Sequence, residues 1–431
     1  MRVALVNPPW RFDGSIYFGC REAHLPLELG YAQALLRQDG HETLLVDCNL
    51  ETRSGAEACL EVEAFGAEMT VVTTAPTYLF WRCAPPELTV PREFLQTLGR
   101  RGGRTVAVGP HGSVTPAVTL RKLDVDAVVR GECEHIISAL ANAEDWSAVP
   151  SIAMRIDSTV KITGDPAAHD FVSLPPLRWP DELIIRHTHH HHRFDRPPLG
   201  LGAEVEASRG CPYNCSFCAK IDFRDKYRRR HLSILLTEID HLIAQGVHYL
   251  YFIDEIFLPQ RPLLEALVQR DAVFGVQTRI DLWKPDMLRL LGEAGCVSIE
   301  AGIESLTAEG REALAKRCRL ETEDLANLLI EARRHVPFVQ GNLIGVDQDD
   351  PKLVEYWRKH LIDHAVWANA PVPMYPYPSS PGYRAMWGEP DDQAWERAHD
   401  YYLRTFQGFS DIQQQGPLPL AVLEEACCAG C

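Results

Sequence analysis

No stretch of this sequence approaches the roughly 18 consecutive apolar residues that a membrane-spanning helix needs. Positive charge is also in short supply: 43 Lys and Arg stand against 59 Asp and Glu, a formal net charge of −16. That balance argues against non-specific nucleic-acid binding, which needs a basic surface to displace counterions. No secretory leader is expected, because Met1-Arg2-Val3-Ala4-Leu5-Val6-Asn7-Pro8-Pro9 reads as a short strand and turn. The cytoplasm is the compartment these absences imply. With 46% hydrophobic and 24% charged residues the composition is that of a soluble globular protein. At 431 residues the chain is too long for one ordinary core, so two domains with appendages are expected.

Cysteine, by contrast, is plentiful, with 13 in the chain. Cys20, Cys48, Cys59, Cys83, Cys133, Cys296 and Cys318 stand alone and read as small buried hydrophobes in a reducing compartment. The other six fall into two clusters, which favours metal or redox chemistry over a disulfide framework. One is Cys211-Pro212-Tyr213-Asn214-Cys215-Ser216-Phe217-Cys218, a loop directly after a strand-like run. Three thiolates packed this closely can hold three irons of a 4Fe–4S cluster and leave the fourth open to a substrate or co-substrate. A zinc knuckle is the alternative, but no fourth ligand lies nearby at normal spacing. The second cluster is Cys427, Cys428 and Cys431, three thiols within five residues, which suit a soft thiophilic ion. This tail reads as substrate or metalloid capture, as the ligands of an auxiliary cluster or a redox relay, or as an unselected end.

The rest of the chain alternates short apolar runs with helical patterns, which predicts an α/β protein. In residues 1–145, runs at Val3 to Val6, Thr43 to Asp47, Met69 to Thr74, Val106 to Gly109 and Ala127 to Arg130 predict a doubly wound, Rossmann-like parallel sheet. Gly109-Pro110-His111-Gly112 and Gly131-Glu132-Cys133-Glu134 follow strand ends, the edge at which such sheets bind ligands. Residues 146–200 read as a linker with Pro-rich turns and the run His187-Thr188-His189-His190-His191-His192, either a solvated tract or a reach toward the active site. Residues 201–372 carry about six βα units, which fits an open partial barrel better than a closed eight-fold one. Catalytic groups belong at the C-terminal ends of its strands, where the cysteine loop and Asp254-Glu255 both fall. Lys226 to Arg230 reads as a solvated basic face or as a group that steadies an anionic part of the ligand, and residues 373–431 as a C-terminal extension ending in the cysteine tail.

The CxxxCxxC loop, with aromatic Phe217 just before its third cysteine, resembles the signature of the radical S-adenosylmethionine (SAM) superfamily. The resemblance implies that Cys211, Cys215 and Cys218 ligate a 4Fe–4S cluster whose open iron binds SAM. An electron from the reduced cluster then breaks a carbon–sulfur bond of the sulfonium. It places Phe217, Asp254, Glu255, Gln277, Arg279, Gly302 and Glu304 around SAM, with the two acids near its ammonium and Arg279 near its carboxylate. A small-molecule or metalloid substrate and a flavodoxin- or ferredoxin-type electron donor are implied as partners.

The N-terminal half, with Pro8-Pro9, His24 to Tyr31, Gly40-His41-Glu42 and Gly131 to Glu134, resembles the class of radical enzymes with a cobalamin-binding domain. No Asp-x-His-x-x-Gly motif is present, so no lower cobalt ligand is named. The Cys-Cys-x-x-Cys tail is similar to that of the radical SAM enzymes of arsinothricin biosynthesis. That likeness implies transfer of a 3-amino-3-carboxypropyl group from SAM to arsenite held by Cys427, Cys428 and Cys431. The alternative is cobalamin-dependent radical methylation of a small molecule.

Overall fold

The structure, a computed structural model, describes residues 1–17, 22–76, 83–157, 159–168, 170–187, 200–405 and 416–425. Cys427, Cys428 and Cys431, like His189 to His192, lie outside the described residues. The chain divides into two units. The first takes residues 1–170, 219–225 and the segment from Tyr375 onward, and the second takes 171–218 and 226–374.

The first unit is built on seven strands: β1 (Arg2–Asn7), β2 (Glu42–Asp47), β3 (Met69–Thr73), β4 (Arg104–Val108), β5 (Ala127–Val129), β6 (Ile152–Ile156) and β7 (Thr159–Thr163). Their order is β2-β1-β3-β4-β5-β6-β7, and the first five in that order run parallel. These strands read as continuous apolar runs because both faces are buried. Val3 and Leu5 of β1 pack into one core with Val71, Val106 and Val129, while Ala4 and Val6 pack into the other with Val72, Ala107 and Val128. The first core also takes Tyr375, Tyr377, Tyr383, Trp395 and Tyr402 from the C-terminal extension.

Residues 152–163, expected to be linker, instead form the antiparallel hairpin β6–β7 that extends this sheet. The two strands are only five residues each. Their turn starts at Asp157 with φ +52° and carries no glycine to announce it.

The second unit holds β8 (Leu201–Val205), the short pair β9 (Ser208–Arg209) and β10 (Arg228–Arg229), and then β11 (Val247–Phe252), β12 (Val273–Thr278), β13 (Cys296–Glu304), β14 (Phe338–Leu343) and β15 (Trp367–Ala368). Six of these form one parallel sheet in the order β15-β14-β13-β12-β11-β8. Helices such as Leu232–Ala244, Pro285–Glu293 and Thr322–His335 connect the strands, so the unit is an open run of βα crossovers, as a partial barrel requires. Burial alternates along β14: Val339, Gly341 and Leu343 are buried, whereas Phe338, Gln340 and Asn342 are half-buried. The less buried face of β12, β13 and β14 therefore carries the polar side chains Gln277, Glu300, Gln340 and Asn342. Among the described residues no helix is long and apolar enough to cross a membrane.

Candidate active site

The cysteine loop leaves the C-terminal end of β8 and is closed at its root by the antiparallel pairing of β9 with β10. Gly210, just before Cys211, has φ +82°, and a Cβ there would lie 2.1 Å from the carbonyl oxygen of Lys226. Only glycine fits such a backbone against another backbone. Asp254 and Glu255, beyond the end of β11, fasten the same root. Asp254 is fully buried and accepts the Ala207 amide at 2.8 Å and the Ser208 hydroxyl. Burial raises its carboxyl well above the usual carboxylate range, although these hydrogen bonds oppose the shift. Glu255 accepts the Gly210 amide at 2.7 Å.

Cys215 is buried, and Cys211 and Cys218 are half-buried. The Cys218 amide donates to the Cys215 carbonyl at 3.2 Å, and the Ser216 amide to the Leu314 carbonyl at 2.9 Å, so the loop is held from inside and outside. Burial pushes the Cys215 thiol up, and the charge of Lys316 acts the other way. Three cysteines within eight residues of sequence, in a setting that includes the cations Lys316 and Arg279, fit a cluster carried by thiolates.

Of the other residues predicted for the site, Gln277 on β12 and Glu300 on β13 stand in register, with 3.3 Å between the Gln277 amide nitrogen and a Glu300 oxygen. Arg279 lies with its guanidinium 4.0 Å from the centre of the Tyr213 ring. It also donates to Asp281 at 2.8 Å and to the Lys316 carbonyl at 2.8 Å. Glu304 accepts from Lys316 at 2.7 Å, and Lys316 sits 5.9 Å over the Phe217 ring. Gly302 leaves room for this pair, because a Cβ there would lie 2.6 Å from Glu304 Oε1.

Sequence reasoning did not find Lys316, Asp281 or the ring role of Tyr213. Tyr213 was visible inside the motif, but a lysine 99 positions after Phe217 meets that ring only through the fold. The first histidine of the His-rich run is described: His187 is buried against Glu204 of β8 at 2.8 Å. Arg230, read as part of a solvated basic face, is instead buried and paired with Glu238 at 2.8 Å.

Residues 205–356 match the radical SAM superfamily. An uncharacterized methyltransferase of Pyrococcus horikoshii is 22% identical over 331 residues, 73% of this chain and 68% of that protein. The anaerobic magnesium-protoporphyrin IX monomethyl ester cyclase of Rubrivivax gelatinosus is 26% identical over 275 residues, but this chain spans only 47% of its length. Among solved structures, the radical SAM methyltransferase TsrM from Kitasatospora setae, with cobalamin and a 4Fe–4S cluster bound, has a TM-score of 0.69 at 18% identity, covering 88% of this chain and 76% of that one. OxsB, a cobalamin-dependent SAM radical enzyme with aqua-cobalamin bound, also reaches 0.69 at 15% identity, covering 89% of this chain and 60% of its own. At such identities the likeness is one of fold. A CxxxCxxC loop on a parallel βα sheet, within a segment that matches the superfamily, makes this chain an enzyme with a radical SAM domain, served by a 4Fe–4S cluster and S-adenosylmethionine.

Proposed function

We propose that this enzyme is a cobalamin-dependent radical SAM methyltransferase acting on a small molecule. The observation that carries the reading lies in the first unit, at the C-terminal edge of its sheet. There the Thr74 hydroxyl, one carboxyl oxygen of Glu87 and the Tyr375 hydroxyl are buried without a hydrogen-bond partner among the described residues. Glu87 is pushed up to about 7 by burial, so near neutral pH its carboxyl can donate as well as accept. Unpaired buried donors and acceptors are costly, and a bound ligand rich in amide groups satisfies them. Cobalamin is such a ligand, and the edge is the one at which doubly wound sheets bind. The methyltransferases among the similar proteins support the same reading.

Cys211, Cys215 and Cys218 would hold the cluster, and the half-buried face with Gln277, Glu300 and Gly302 would receive SAM. Bound there, the cluster and SAM supply a one-electron reductant and a carbon radical, and cobalamin supplies a methyl carrier. The protein's own work is positional. Asp254, through Ala207 and Ser208, and Glu255, through Gly210, fix the loop that carries the thiolates. Arg279 and Lys316 put positive charge beside its two aromatic rings. An external one-electron donor completes the requirement.

The second reading, aminocarboxypropyl transfer to arsenite, rests on Cys427, Cys428 and Cys431, and none of the similar proteins named above supports it. One experiment separates the two. Protein purified and reconstituted without oxygen is reduced with SAM carrying a labelled methyl group, and the products are identified by mass. Methyl transfer predicts S-adenosylhomocysteine with deoxyadenosine, and protein that retains or requires cobalamin. Methylthioadenosine in the presence of arsenite, independent of cobalamin, would replace that reading with the second.

A further inference from the structure

Eight non-glycine residues among those described have a left-handed φ, and three of them are a member of one ion pair and the two neighbours of its other member. These are Glu304 at +68°, Ala315 at +51° and Arg317 at +52°. The pair is Glu304 with Lys316, oxygen to nitrogen 2.7 Å, with side chains 11% and 6% exposed. Backbone in this region costs an L-residue of order 1–3 kcal/mol, and such strain concentrates at functional sites. A buried ion pair adds a desolvation cost that its attraction often fails to offset. Stability alone therefore gives no reason to build this pair.

Its surroundings supply one. The turn that carries Lys316 is pinned from behind by Arg311, which is buried and donates to the Ser305 carbonyl at 3.2 Å and the Leu320 carbonyl at 3.1 Å. In front, the turn grips the cysteine loop. The Leu314 carbonyl takes the Ser216 amide, Lys316 stands over Phe217, and the Lys316 carbonyl takes Arg279, whose guanidinium covers Tyr213. Cys215 thus lies between two aromatic residues, each backed by a cation. Asp281 offsets one cation and Glu304 the other.

We propose that Lys316, held in place by Glu304, is a positioning residue for the iron–sulfur cluster and sets its reduction potential. This rests on the reading that Cys211, Cys215 and Cys218 ligate the cluster. Reduction adds one electron from an external donor and makes the cluster more negative. A fixed cation close by, in a medium of low dielectric, stabilises that reduced state. Glu304 holds the cation at its place and limits its effect.

The test is a redox titration of the full chain after anaerobic reconstitution, with dithionite as reductant and the reduced cluster followed by electron paramagnetic resonance. Wild type is compared with Lys316→Met, Lys316→Arg and Glu304→Gln, after iron and sulfide counts on each. Lys316→Met should lower the equilibrium constant for one-electron reduction about tenfold, a midpoint about 59 mV more negative. Glu304→Gln should move the midpoint the opposite way, and Lys316→Arg should restore it close to wild type. Loaded Lys316→Met and Glu304→Gln proteins with unchanged midpoints would overturn the proposal, as would shifts of the same sign. Where Lys316→Met takes up no cluster, an upward shift in Glu304→Gln supports the proposal and an unchanged midpoint ends it. If neither variant loads, the pair serves only folding and the proposal is wrong. Wild type that takes up no cluster is a different failure, because it removes the reading of the cysteine loop itself.

Discussion

Gly210 shows how closely single residues are specified around the cysteine loop. Its φ of +82° and the 2.1 Å gap to the Lys226 carbonyl leave no place for a methyl group. Gly210→Ala should destabilise the second unit by about 2 kcal/mol or more, since the added Cβ is incompatible with both the dihedral and the neighbouring backbone. It should also lower the iron bound per chain after reconstitution, because the displaced residue leads directly into Cys211. Thermal unfolding with iron analysis checks both, and full iron content at wild-type stability would mean that the loop root tolerates displacement. The three cysteines were legible in the sequence because their spacing is local. Lys316 was not, because what gives it meaning is proximity to Phe217 across the fold. Arg279 was legible as a candidate, but its partner Asp281 and its place over Tyr213 appear only in the structure.

At the scale of elements, the strands of the first sheet were legible because burial on both faces leaves an unbroken apolar run, as in Val3 to Val6. The hairpin β6–β7 was not, because the polar residues Thr159, Lys161 and Thr163 of β7 interrupt any such run. Just past the C-terminal end of β4, His111 is fully buried and stacked 4.4 Å from Trp395. Burial, and after it the charge of Lys122, pushes its imidazolium down to about 3. The unfolded chain then binds a proton that the folded one refuses between that value and about 6.5, so the histidine's contribution to stability is lost as pH falls through that range. His111→Phe keeps a ring against Trp395 and removes the titration. Relative to wild type the variant should gain about 2 kcal/mol between pH 7 and pH 5, at about 1.4 kcal/mol per pH unit. Denaturant unfolding of both proteins at the two pH values measures it, and parallel losses would show that His111 is not the titrating group.

At the scale of the whole molecule, the C-terminal extension belongs to the core of the first unit. Trp395 donates to the Thr115 hydroxyl at 3.2 Å, Lys122 bonds Glu396 at 2.7 Å and Glu424 at 2.9 Å, and Thr89 donates to the Leu423 carbonyl at 2.7 Å. Nothing in the local pattern of residues 375–425 reveals this, because its Tyr and Trp residues find their partners hundreds of positions away. Truncation after residue 374 should strip the first core of Tyr375, Tyr377, Tyr383, Trp395 and Tyr402. Each large buried side chain contributes about 1.5–3 kcal/mol, so the shortened chain should bind a hydrophobic dye and lose the protease resistance of residues 1–170. A truncated protein with unchanged resistance would show that the extension only decorates the unit.

The interleaving of the two units also orders events during synthesis. Translation delivers β1 to β7 first, yet the first unit takes in residues beyond 374. The second unit, from Phe171 to Met374, is complete in the nascent chain before Trp395 or Leu420 has been made. The part of the protein that leaves the ribosome first is therefore the last to close, and its unfinished apolar surface waits on the far end of the message.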